Sequence, residues 1–177
     1  MTSIGRPGAG EFAPYFERYI SLVCGDDILT VLAEQAGSVL GVLGAIPDER
    51  AGFRYEPGKW SVREVVGHLA DCERVFGYRA LAFARCEKAA LPPFDENEFA
   101  RASGHDSIPL AELVDELAAV RAATMHLLRH LPGEAWTRIG VASGNPTSVR
   151  ALAFVMAGHV AHHMAILRGR YGVRGGE

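Results

Sequence analysis

Apolar residues recur at helical spacing in four stretches of this chain, and no stretch shows the sustained alternation of a half-buried strand. The first predicts a helix over about residues 26–44. Ile28, Leu29, Val31, Leu32, Val39, Leu40 and Leu43 carry its apolar positions, Asp26 and Asp27 stand at its start, and Gly44 and Pro47 end it. The second, over about 61–84, follows the turn Pro57-Gly58-Lys59-Trp60. Ser61 and Glu64 have the spacing of a capping box, and Val62, Val65, Val66, Leu69, Val75, Phe76 and Phe83 follow. The third, over about 108–130, carries Leu110, Leu113, Leu117, Val120, Leu127 and Leu128 and stops before Pro132-Gly133. The fourth covers about 148–169. Between the second and third lies a polar stretch with Pro92-Pro93, which reads as a long crossover containing one helical turn near Asn97–Arg101. EAWTRIGVASGNPT reads as a second connection, and YGVRGGE as a frayed tail. Four amphipathic helices with one long crossover predict an all-α fold, a four-helix bundle in a single domain spanning 1–177.

Composition narrows the function classes. The chain has 177 residues, 49% of them apolar, enough for a core without disulfides. A net charge of −3 gives no general pull toward nucleic acid or acidic membranes, so neither is expected as a partner. Three cysteines, Cys24, Cys72 and Cys86, lack zinc-finger spacing and suit a reducing compartment. The N-terminus lacks the apolar run of a signal peptide. The longest uncharged stretch, 151–167, is short of the ~20 residues of a membrane span and contains His159, His162 and His163. A soluble, cytoplasmic protein is expected.

The histidines separate by direction. At about 100° per residue, His159 and His163 lie about 40° apart, inside the arc that holds Val149, Leu152, Met156, Val160 and Leu167. His162 falls on the flank. His126 and His130 have the same spacing but turn away from the apolar face of the third helix, which makes them a solvated pair. His68 sits at the edge of the second helix's stripe, and His105, in the crossover, carries no signal. Two buried imidazoles one turn apart are either hydrogen-bonded core residues or two ligands of one metal ion. His68 is then the best third ligand. H-x-x-x-H without an intervening Glu is not the metalloprotease motif.

The runs Tyr55-x-Pro57-Gly58-Lys59-Trp60-Ser61, Gly67-His68-Leu69-x-Asp71-x-Glu73-Arg74 and Gly158-His159-x-x-His162-His163 together resemble the DinB-like family. The likeness runs from about Tyr15 to Tyr171 and includes Leu91-Pro92-Pro93-Phe94-Asp95. Within the family, the chain looks closest to a group classed as metal-dependent hydrolases, which includes bacterial thiol S-transferases. The resemblance implies a four-helix bundle, often a homodimer, with a divalent metal, zinc or nickel, on His68, His159 and His163. It favours transfer of a low-molecular-weight thiol to an electrophile, with amide or ester hydrolysis or a non-catalytic metal-binding bundle as alternatives. Catalysis would rest on the metal-activated thiol or water, with no catalytic side chain assigned. Asp71 and Glu73 are candidate outer partners of the imidazoles, although surface charges are commoner. Cys72, one turn from His68, reads first as a small core residue and second as a soft ligand. Trp60 and Trp136 read as anchors of the turns they occupy.

Overall fold

The computed structural model describes residues 4–174. In chain order the helices are α1 (Glu17–Ile20), α2 (Ile28–Gly44), α3 (Asp48–Ala51), α4 (Val62–Ala84), α5 (Glu96–Ser103), α6 (Leu110–Arg129) and α7 (Val149–Arg170); strands β1 (Ile139–Ala142) and β2 (Asn145–Ser148) precede α7. The four long helices form the predicted bundle. Their starts follow from side chains that satisfy otherwise orphaned amides. Asp27 accepts from the Thr30 amide, Ser61 and Glu64 form the full capping box, and Ser148 accepts from the Ala151 amide.

Helix α2 packs principally on α6 and α7, and α4 does the same. Helices consecutive in sequence, α2 with α4 and α6 with α7, therefore lie across the bundle's diagonals. Two apolar clusters fill the interior. Ile28, Leu32, Phe76, Phe83, Leu128 and Leu152 belong to one. Leu43, Val66, Leu69, Leu113, Val160 and Leu167 belong to the other. Helix α7 is long and apolar enough to cross a membrane, but 67% of its apolar window is buried among the other elements, as in the core helix of a bundle.

The connections depart from the sequence reading. The stretch EAWTRIGVASGNPT contains an antiparallel hairpin that pairs Ile139 with Ser148 and Ala142 with Asn145. Its inward residues on β1 are Gly140 and Ala142, so apolar alternation is absent although burial alternates. Ser143 and Gly144 turn the chain with φ of 51° and 77°, the left-handed pair that matches the twist of a two-residue hairpin. The crossover holds two turns of helix rather than one, because Asp95 accepts from both the Asn97 and Glu98 amides. Leu91 then bridges to the hairpin, donating to Val141 O at 2.9 Å and accepting from the Ser143 amide at 3.0 Å. The tail is docked where it is described. Tyr171 is buried and its hydroxyl donates to Trp60 O at 2.8 Å. The end of the tail, 175–177, lies outside the described residues.

Candidate metal centre

On α7, one helical turn carries His159 and His163 to the same side, and α4 packs against that side with His68. The three rings converge. His68 Nε2 lies 3.1 Å from His159 Nε2. Ring centroids are 5.0 Å apart for His68–His159, 4.8 Å for His68–His163 and 4.6 Å for His159–His163. The cluster occupies the level at which one apolar core gives way to the other. Cys72 and Met156 lie in one, Leu69 and Val160 in the other.

Burial sets the protonation state. It lowers the pKa of His68 to about 4, with the neighbouring His105 adding to the shift. His159 is pushed well below the ordinary histidine range by burial, then by His163, His68 and His162. His163, partly open to a cavity, is pushed down by burial and by His68 and His162. Neutral imidazoles are the form that binds a metal. Two nitrogens that share one ion at about 2.0–2.1 Å stand roughly 2.8–3.4 Å apart for inter-ligand angles between octahedral and tetrahedral. The 3.1 Å separation of His68 and His159 falls inside that range. The spacing of His68 and His159 therefore fits a divalent cation, with the His163 ring beside them and Cys72 Sγ completing the set of ligand atoms that lie mutually within 4.8 Å. Without one, the same separation allows an imidazole-to-imidazole hydrogen bond.

A cavity of about 480 Å³ opens on the cluster, lined by His68, Cys72, His159, His162 and His163 together with a ring of aromatic residues. The N-terminal segment forms one wall. Gly158 lets it approach, because a Cβ there would stand 2.0 Å from Tyr19 O. Tyr19 then packs edge-on against His159 and His162, each at 5.4 Å. Trp60 covers His68 at 4.7 Å. Phe94 from the crossover and Ser143 and Asn145 from the hairpin turn complete the far side. A smaller cavity of about 270 Å³ shares Trp60 and His163 with the first.

The remaining sequence candidates divide. Cys72 is both a core residue and a potential donor. Its Sγ lies 3.6 Å from each ring nitrogen of His68, and Sγ with His68 and His159 forms a set of ligand atoms mutually within 4.8 Å. Burial raises the Cys72 thiol pKa, so it is neutral as it stands. Glu73 is not an outer partner of the histidines. It is buried against Arg121, which donates from Nε at 2.7 Å and from Nη2 at 3.0 Å. Asp71 takes no hydrogen bond from an imidazole among the described residues and lies 3.7 Å from Arg74. Both side chains therefore depart from the outer-shell reading. His126 and His130 are exposed with rings 6.1 Å apart, the solvated pair their direction predicts. Trp60 lines both cavities, whereas Trp136 is buried in the core. His105, silent in the sequence, is buried beside Gly67 of α4 with its Nδ1 unpartnered. Arg79 and Tyr19 are cavity residues that sequence reasoning missed. The spacing of Arg79, eleven residues after His68 on one face of α4, could have pointed to it.

Residues 32–167 match the model of the DinB superfamily. The chain is 25% identical over 141 residues to a protein of Geobacillus thermodenitrificans named "Putative metal-dependent hydrolase", covering 77% of this chain and 78% of that one. It is 28% identical over 130 residues to the Bacillus subtilis "Putative metal-dependent hydrolase YfiT", covering 73% of this chain and 65% of that relative, just under two thirds of its length. A solved structure of Bacillus subtilis YfiT, described as a probable metal-dependent hydrolase with an unusual four-helix bundle topology, superposes with a TM-score of 0.72. That match covers 97% of each chain at 21% identity, a likeness of fold.

Proposed function

From the membership of this chain in the DinB superfamily, we propose that it is a metal-dependent enzyme that acts on a small molecule, with His68, His159 and His163 as the protein ligands of a divalent cation. One observation carries the reading: three neutral imidazoles from two helices meet at the floor of a cavity large enough for a small-molecule substrate. Zinc and nickel both suit imidazole donors. A cation held there supplies Lewis acidity and a reactive nucleophile at neutral pH. The chain's own residues do the rest. Burial keeps the three rings unprotonated, Trp60 and Tyr19 pack against His68 and His159, and aromatic side chains line the cavity beside them. Hydrolysis is the first reading, because the relatives of known name are described as metal-dependent hydrolases.

Transfer of a low-molecular-weight thiol to an electrophile is the second reading, and two features favour it. The donor cluster contains no carboxylate, and the carboxylate nearest in sequence to Cys72 on its C-terminal side, Glu73, is occupied by Arg121. A thiol deprotonated by coordination needs less help from a base. Two cavities also meet at Trp60 and His163, one for each of two substrates.

Elemental analysis of purified protein after incubation with zinc or nickel tests the ligand set. Wild type should hold near-stoichiometric metal, and His68→Ala, His159→Ala and His163→Ala should each lose most of it while retaining helical circular dichroism. Full occupancy in folded His159→Ala protein would overturn the assignment. Turnover of ester or amide panels without thiol supports hydrolysis, whereas consumption of thiol only when an electrophile is present supports transfer.

A further inference from the structure

Arg79 lies on α4 among apolar side chains, at 4% exposure, on the helix face that carries His68 and Cys72. Its ion-pair partner is missing. No carboxylate approaches it within salt-bridge distance among the described residues, although every other strongly buried charge in the bundle interior, Glu73 and Arg121, is matched. Nη2 donates to Pro92 O at 2.9 Å and to Ser143 Oγ at 3.1 Å. That uses the two protons of one nitrogen. No protein acceptor meets Nε or Nη1 among the described residues, so three of the guanidinium's five N–H groups are unpaired in a side chain that lines the cavity.

Holding a cation in this environment is costly, and the protein invests structure in doing so. Phe94 stacks its ring 5.7 Å from the guanidinium carbon. Ser143 Oγ reaches Arg79 from the hairpin turn, which fixes its position. Crossover and hairpin thus hold one nitrogen of a side chain that lines the cavity. From His68 to Arg79 the Cα atoms are eleven residues apart along α4, a rise of about 16 Å. A helical side chain leans back toward the N-terminus, so the guanidinium reaches toward Phe76 and the cluster rather than away from it. Arg79 thus lines the cavity together with the histidines and aromatic side chains, and a second cation, the exposed Arg18, lines it over the rings of Tyr15 and Tyr19.

We infer that Arg79 is a substrate-positioning residue that binds a carboxylate or phosphate group on the small molecule, at a remove from the atom that reacts at the histidine cluster. The substrate class is therefore an anionic compound with an apolar middle. The position rests on the proposed function for its account of the reacting end, but anion binding at Arg79 does not require metal. Glu96, exposed, also lines the cavity and opposes an anion placed near it.

The test uses metal-free full-length protein with succinate and inorganic phosphate as separate probes, titrated by calorimetry and by ¹⁵N NMR of arginine Nε–H groups. The Arg79 Nε–H resonance should move with one or both probes, and the more effective probe identifies the carboxylate or phosphate preference. Arg79→Met should weaken that probe tenfold or more, and Arg79→Lys should recover part of the loss. Ser143→Ala, which leaves the guanidinium in place, guards against an Arg79 variant that fails to fold and should alter affinity by less than Arg79→Met. An unmoved Nε–H resonance, or equal affinity in folded Arg79→Met protein, would overturn the proposal and leave Arg79 a strut between crossover and hairpin. Because no metal is present, these outcomes are independent of whether the histidines bind one.

Discussion

At Glu11, Arg150 supplies the hydrogen bonds that set the behaviour of the whole N-terminal segment. Arg150 Nε donates at 2.7 Å, a second bond comes from Nη2, and the Glu11 carbonyl accepts from the Ser148 amide at 2.9 Å. Those side-chain bonds are the main reason the Glu11 carboxyl is held down at about 2 instead of its usual 4.5. The direction of the pH effect follows from linkage. A carboxyl with a depressed folded-state pKa adds stability that is complete above about 4.5 and is lost as pH falls toward 2. Thermal unfolding of wild type should therefore lose midpoint more steeply across that window than Glu11→Gln, which starts lower at neutral pH. Parallel profiles for the two proteins would show that Glu11 contributes nothing by its charge. Cys72 shows the limit of reading single residues from sequence. Its place one turn after His68 is plain, but only the packing of α4 on α7 brings its sulfur near both His68 and His159.

Among the elements, α1 is four residues long and owes its position to α7. A helix so short has little stability of its own. It is held because Gly158 admits the Tyr19 carbonyl and because Arg6 donates to Ile20 O at 2.8 Å and to Val23 O at 2.9 Å. Gly158→Ala should push α1 off α7, at a cost of about 1–3 kcal/mol for overpacking. Amide exchange in residues 14–23 should speed up and metal affinity should fall, with α4, α6 and α7 protected as before. Unchanged exchange in that segment would mean the backbone yields elsewhere. The hairpin is the element that hydropathy could not reveal. Its inward positions are Gly140 and Ala142, and Gly140 is small because Phe83 of α4 occupies the space a Cβ needs.

For the molecule as a whole, one polar network links all four long helices. Arg121 of α6 pairs with Glu73 of α4 and donates to Leu32 O at 3.3 Å and to Gln35 Oε1 at 3.2 Å on α2. Gln35 in turn donates to Ala157 O of α7 at 2.8 Å, two residues before His159. Because α4 and α7 are neighbours in the bundle, these contacts help to set their relative height, and with it the convergence of His68 on His159. Removing one charge strands the other in the core, so Arg121→Met should cost about 3–5 kcal/mol. A Glu73→Leu/Arg121→Met double variant should recover much of that in urea unfolding. If the single variant unfolds at the wild-type midpoint, the pair is not structurally important.

The amino-acid pattern by itself determined four helices, the caps of the first two, the inward direction of His159 and His163, the solvated direction of His126 and His130, and the long crossover. All of these depend on neighbours within one or two turns, where periodicity and capping chemistry act. Tertiary structure alone decided that α2 and α4 lie diagonally, that His68 turns inward from the edge of its stripe, that Glu73 serves Arg121, and that Arg79, Tyr19 and the hairpin turn wall the cavity. Those outcomes arise from contacts between segments tens of residues apart, whose free energy resides in packing and paired charge that no local repeat records.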